Sequence, residues 1–132
     1  MPAREVMHTC IRVLDPDRSI AFYSSLGFEE RGRKRVGGDT ATIIFLGLPG
    51  DSDRLELTIN DDRSEPYDVG SGYGHIALAI DDLDTELVRL ADAGITPERP
   101  PYISGPGGSK ICFVQDPDGY RIELIDTGSR EA

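Results

Sequence analysis

Tryptophan is absent from this chain, histidine and cysteine occur twice each, and lysine occurs twice against twelve arginines. No apolar run reaches the roughly 20 residues a membrane span requires. The opening stretch, Met1-Pro2-Ala3-Arg4-Glu5, has no apolar core of the kind that marks a secretion signal, so a cytoplasmic location is expected. Bases are also scarce: 14 against 24 acids leave a net charge of −10. That balance argues against nucleic acid and against anionic membrane as partners, since both reward clustered Lys and Arg. Cys10 and Cys112 each lie inside an apolar run, which predicts two buried, reduced thiols. With 38% hydrophobic residues in 132, the chain can build a core, as one small domain or as two half-sized modules that need each other.

What the chain does have is a copy of itself. A shift of 67 places His8-Thr9-Cys10-Ile11-Arg12-Val13-Leu14-Asp15 on His75-Ile76-Ala77-Leu78-Ala79-Ile80-Asp81-Asp82. The same shift puts Leu26-Gly27-Phe28 on Ala93-Gly94-Ile95, Ile44-Phe45-Leu46 on Ile111-Cys112-Phe113, and Leu55-Glu56-Leu57 on Ile122-Glu123-Leu124. The predicted organisation is one domain of two repeats, about 5–62 and 72–127, joined by a polar linker that carries Pro66, Gly70 and Gly72. Two copies are fewer than a solenoid needs, so the halves should pack on each other or on a second chain.

Each half reads alike. An apolar strand comes first, over 7–14 and 74–81. A helix follows, capped by Asp15 or Asp17 in the first half and by Asp82 in the second. Ile20, Tyr23 and Leu26 mark one helix face; Leu83, Leu87 and Leu90 mark the other. Gly27 and Gly94 stand where a left-handed residue ends a helix. Strands are then predicted over 40–48, 54–60, 109–115 and 120–126, and Asp116-Pro117-Asp118-Gly119 is a hairpin turn. The fold class is α+β, with the strands of each half curled into an incomplete barrel and the helix outside.

The two histidines are repeat-equivalent, and so are Glu56 and Glu123; each glutamate lies 48 residues after its histidine. Strand alternation puts each glutamate on the face opposite its apolar neighbours, toward solvent or toward the concave interior. Two imidazoles and two carboxylates converging near the axis of a duplicated unit suit a divalent transition metal, with zinc, nickel, cobalt or iron all compatible with the donors. Without a cation, two carboxylates buried together would repel and one would be forced to hold its proton.

The segments His8-Thr9-Cys10-Ile11-Arg12-Val13, Ser19-Ile20-Ala21-Phe22-Tyr23, Leu55-Glu56-Leu57-Thr58-Ile59-Asn60, Gly72-Tyr73-Gly74-His75-Ile76-Ala77-Leu78 and Phe113–Ile125 resemble glyoxalase I (lactoylglutathione lyase) of the vicinal oxygen chelate superfamily. The likeness runs from His8 to Ile125. The last two segments are specific to the superfamily. Glu56 points within it to glyoxalase I, because ring-cleaving dioxygenases lack that carboxylate and methylmalonyl-coenzyme A epimerases carry another polar residue there. The resemblance implies paired βαβββ modules and a homodimer with sites at the interface. Each metal is then held by His8 and Glu56 of one chain and His75 and Glu123 of the other, with Ni2+ or Co2+ favoured over Zn2+ in a short chain. It further implies that Arg12 and Asn60 fall on positions that hold the glutathione part of the substrate.

The implied reaction converts the hemithioacetal of methylglyoxal and a low-molecular-weight thiol, glutathione first, into an S-lactoyl thioester. A proton moves from C1 to C2 through an enediolate whose charge a divalent cation stabilises. Glu123 is the expected principal base, with Glu56 as ligand and second carboxylate. Phe113, Tyr120 and Ile111 read either as pocket wall or as core. Three departures touch the thiol rather than the metal. Asn60 is followed by Asp61 where the family commonly has Trp-Gly; Gly72 stands three residues before His75 where a base can occur; and the loop before Phe113 holds a single lysine, Lys110. Two other functions fit the same pattern less well: another metal-dependent proton-transfer enzyme of the superfamily, such as an epimerase, and a metal-free antibiotic-binding dimer.

Overall fold

The duplication seen in the sequence is a duplication of structure. In the computed structural model, which describes residues 1–128, the chain divides after Asp68 into two units. The first runs β1 (Thr9–Arg12), α1 (Pro16–Ser25), β2 (Glu29–Val36), β3 (Ala41–Gly47) and β4 (Leu55–Asn60). The second runs β5 (Ile76–Ile80), α2 (Leu83–Asp92), β6 (Tyr102–Ile103), β7 (Lys110–Gln115) and β8 (Arg121–Asp126). Each unit is therefore βαβββ. The sheets are ordered β1-β4-β3-β2 and β5-β8-β7-β6, with the first pair of each parallel and the rest antiparallel. Neither sheet closes into a barrel.

Local chemistry explains the boundaries. Asp15 caps α1, its carboxylate accepting from the N–H groups of Asp17 and Arg18, and Pro16 opens the first turn. Asp82 does the same for α2 through the N–H of Thr85, while Asp126 accepts from the N–H of Leu83 at 3.1 Å. Gly27 and Gly94 follow the helices at φ +99° and +79°, the left-handed region that glycine enters without strain. The first core combines Ile11, Val13, Ile44, Leu46, Leu55 and Leu57 with Phe22, Tyr23 and Leu26 of the helix region. The second combines Leu78, Cys112, Val114, Ile122 and Leu124 with Leu83 and Leu90.

Three expectations are corrected. The opening strands are shorter than 7–14 and 74–81. A strand over Glu29–Val36 was not predicted: it is a charged edge strand with no apolar alternation, the form that edges take to resist pairing with other chains. Cys10 is exposed rather than buried; only Cys112 is in the core. In β1 the buried residue is Ile11, and Cys10 points to the other face.

Candidate metal centre

In each sheet one face packs on the helix and the other is open. The open face of the first unit is set by alternation along β1 and β4, which brings His8, Cys10 and Arg12 to the same side as Glu56, Thr58 and Asn60. The parallel register places Cys10 opposite Glu56 and Arg12 opposite Thr58. His8 sits one residue before β1, and its Nε2 lies 3.5 Å from Glu56 Oε1. The second unit repeats this: Ala77 is opposite Glu123, and His75 Nε2 lies 2.9 Å from Glu123 Oε1. The histidine side chains are 38% and 39% exposed and the glutamates 13% and 14%, so the two pairs match in solvation as well as in position.

The aromatic neighbours match too. His8 meets Phe45 edge-on at 5.8 Å, and His75 meets Phe113 at 5.2 Å. Phe45 is opposite Glu56 and Phe113 opposite Glu123. The structural shift for this strand is thus 68, not 67, and Phe45 corresponds to Phe113 rather than to Cys112. The hairpin between the last two strands is one residue shorter in the second unit. Phe113 is half-buried on the open face, while Tyr120 and Ile111 are buried.

The pairs differ in one respect. Thr58 donates to Glu56 Oε2 at 3.2 Å and lies 3.2 Å from the Cys10 sulfur, which leaves the thiol as donor to Thr58. The equivalent positions in the second unit are Ala77 and Ile125, so Glu123 has no counterpart of the Thr58 hydroxyl beside it; it pairs with His75 and feels the charge of Arg121. Asn60 donates to the hydroxyl of Tyr67 at 3.0 Å. Arg12 is exposed on the same face.

Each unit therefore offers one imidazole nitrogen and one carboxylate aimed at each other on an open face. Among the described residues no group of three or more His, Cys, Asp or Glu stands close enough to hold a metal. The four predicted ligands come as two half-sets, His8 with Glu56 and His75 with Glu123. Nitrogen and oxygen donors in this ratio fit a divalent first-row metal once two half-sets meet.

Residues 5–124 match the family model described as the Glyoxalase/Bleomycin resistance protein/Dioxygenase superfamily. A probable lactoylglutathione lyase of Synechocystis sp. is 39% identical over 96% of this chain and 98% of its own length. The solved structure of the trypanothione-dependent glyoxalase I of Leishmania major superposes with a TM-score of 0.77 at 36% identity, covering 94% of this chain and 87% of that one. Glyoxalase I of Zea mays superposes with a TM-score of 0.82 at 34% identity over 94% of this chain, which spans 45% of the maize protein.

Proposed function

Because the chain belongs to the Glyoxalase/Bleomycin resistance protein/Dioxygenase superfamily, we propose that it is a glyoxalase I-type lyase. It isomerises the hemithioacetal of methylglyoxal and a low-molecular-weight thiol to the S-lactoyl thioester. The observation that carries this reading is the matched pair of His–Glu half-sites on two open sheet faces.

The family implies a divalent metal. We place it on His8, Glu56, His75 and Glu123, with nickel or cobalt ahead of zinc. We further propose a homodimer in which one subunit supplies the first half-set and its partner the second, in the cytoplasm. When bound, the metal supplies Lewis-acid stabilisation of the charge that builds up as the carbon acid ionises.

The protein side chains then divide the work. Glu123 removes the C1 proton and returns it to C2. This role suits a carboxylate that no neighbouring hydroxyl tethers, free to change its contacts during proton transfer. Glu56 is held by the Thr58 hydroxyl as well as by His8, and a tethered carboxylate serves as a fixed ligand. Phe45 and Phe113 pack against the imidazoles and fix their ring planes, so the donor nitrogens need not be ordered at the moment of binding. Arg12 and Asn60, on the same face as Glu56, hold polar groups of the thiol. The thiol itself differs among relatives: the Leishmania major protein uses trypanothione. Glutathione is the first candidate here.

The test is purified protein stripped with a chelator, reloaded with nickel, and given methylglyoxal with glutathione, with thioester formation followed by absorbance. Turnover that appears with nickel and disappears with chelator is expected. No thioester with glutathione or any other low-molecular-weight thiol would overturn the reading.

A further inference from the structure

On both open faces a cation lies over the phenylalanine that packs against the histidine, and the two cations are treated differently. In the second unit the Arg121 guanidinium stacks on Phe113 at 3.9 Å. It is fully occupied: Glu98 accepts from Arg121 Nε at 3.0 Å and from Nη2 at 2.9 Å, and Gln115 donates to the same carboxylate at 2.7 Å. In the first unit the Lys34 ammonium lies 6.0 Å from the Phe45 ring. No carboxylate of the described residues reaches it. The two cations come from different strands, so the likeness is one of placement, not of repeat ancestry.

The isolation of Lys34 is specific. The three arginines beside it on β2 all hold acids: Arg31 holds Asp53 and Glu29, Arg33 holds Glu30, and Arg35 holds Asp39 and Asp61. Lys110, the other lysine of the chain, is bound by Asp84 at 2.8 Å. Lys34 alone is turned to the open face by its pairing with Ile43, which in turn pairs with Thr58, and Thr58 with Arg12. Arg12 and Lys34 thus end one row across the sheet, about 14 Å apart at three strand spacings. In the neighbouring row Gly32 lies opposite Phe45, and a side chain added there would meet nothing within 4 Å. The space beside Phe45 and Lys34 is open.

We propose that Lys34 is a specificity residue that receives a carboxylate of the substrate adduct across Phe45, the role Glu98 fills within the protein for Arg121. This rests on the function proposed above. The chain carries −10, so its long-range field opposes an anionic substrate, and a local unpaired cation at the site is where that opposition can be reversed. The carboxylate can belong to the thiol or to the aldehyde; the recognising chemistry is the same.

The experiment compares the protein with its Lys34→Gln, Lys34→Glu and Lys34→Arg variants on three adducts. They are glutathione with methylglyoxal, glutathione diethyl ester with methylglyoxal, and the diester with a carboxylate-bearing 2-oxoaldehyde. The ratio of kcat/KM for a carboxylate-bearing adduct to that for the diester–methylglyoxal adduct, which has no carboxylate, should fall about fivefold in Lys34→Gln, fall further in Lys34→Glu and recover in Lys34→Arg, the size expected of one partly exposed ion pair. A fall confined to the glutathione arm places the carboxylate on the thiol; one confined to the third arm places it on the aldehyde. Equal ratios in all variants overturn the proposal. Binding of glutathione and of its diester to metal-free protein, by calorimetry, gives a readout independent of turnover. If no adduct is turned over, the lyase reading fails, and calorimetry extended to the carboxylate-bearing 2-oxoaldehyde then decides for Lys34 alone: a preference for glutathione over its diester, or for that aldehyde over methylglyoxal, that is lost in Lys34→Gln sustains the proposal, and no carboxylate preference of either kind ends it.

Discussion

Glu56 and Glu123 stand at equivalent positions, each beside its own histidine, but differ in hydrogen-bond environment, and that difference predicts unequal roles. Glu123→Gln keeps the volume and an oxygen donor and removes the base. Its kcat is expected to drop by about 100-fold to 10,000-fold, with nickel still bound. Metal analysis beside the kinetics checks this, and full activity in the variant would return the base role to Glu56. Cys112 allows a second prediction. Burial in the apolar core pushes its thiol up to about 11. Near neutral pH both folded and unfolded thiols are protonated and the shift is silent. Between about pH 9 and 11 the unfolded chain loses this proton and the folded chain keeps it, so stability falls as pH rises, by roughly 3 kcal/mol at the upper end. Urea titrations at pH 8 and 10.5 should show a smaller alkaline loss in Cys112→Ala, whose constant cost of about 1 kcal/mol at both pH values is the lost packing. Cys10 lies in an apolar run, a pattern that looks buried on both faces of a short strand. The strand has one core face, and Ile11 and Val13 occupy it.

Among the elements, the helices, the strands that follow the histidines and the Glu-bearing strands are legible because their signals are local: caps, left-handed glycines and a fixed 48-residue spacing between neighbours in a parallel pair. β2 is not. Its run Glu29-Glu30-Arg31-Gly32-Arg33-Lys34-Arg35 has no period-two pattern, and a register shift between Glu30 and Gly32 breaks the pairing further. What makes it a strand is a neighbour, β3, that offers backbone partners; pairing of that kind is not written in a segment's own composition. Lys34 could not be singled out for the same reason. The one-residue difference in hairpin length, which matches Phe45 with Phe113 rather than Cys112, is not fixed by identity at sparse positions. The β7–β8 hairpin is itself testable. Buried Asp116 accepts from the N–H groups of Asp118 and Tyr120, both at 2.9 Å. Asp116→Ala leaves those donors without their acceptor and should cost about 1–3 kcal/mol, read as a lower urea midpoint. Asp116→Asn keeps an acceptor and should recover most of it.

Sequence duplication put one half-set in each unit, and the proposed dimer decides how half-sets combine. If one subunit's His8 and Glu56 meet its partner's second half-set, then His8→Ala and His75→Ala homodimers each have two defective sites. A mixed dimer carrying one of each is different: one site lacks both histidines and the other lacks neither. Unfolding and refolding the two inactive variants together should therefore restore activity. With random pairing half the dimers are mixed and each has one good site, so about a quarter of the wild-type specific activity returns. If a single chain completed its own site, every site in the mixture would still lack one histidine and nothing would return. Nickel binding in the mixture, measured by equilibrium dialysis, should show the same recovery of tight sites. The experiment thus separates a shared site from a self-contained one, and the nickel-binding arm does so without requiring that the thiol be known beforehand.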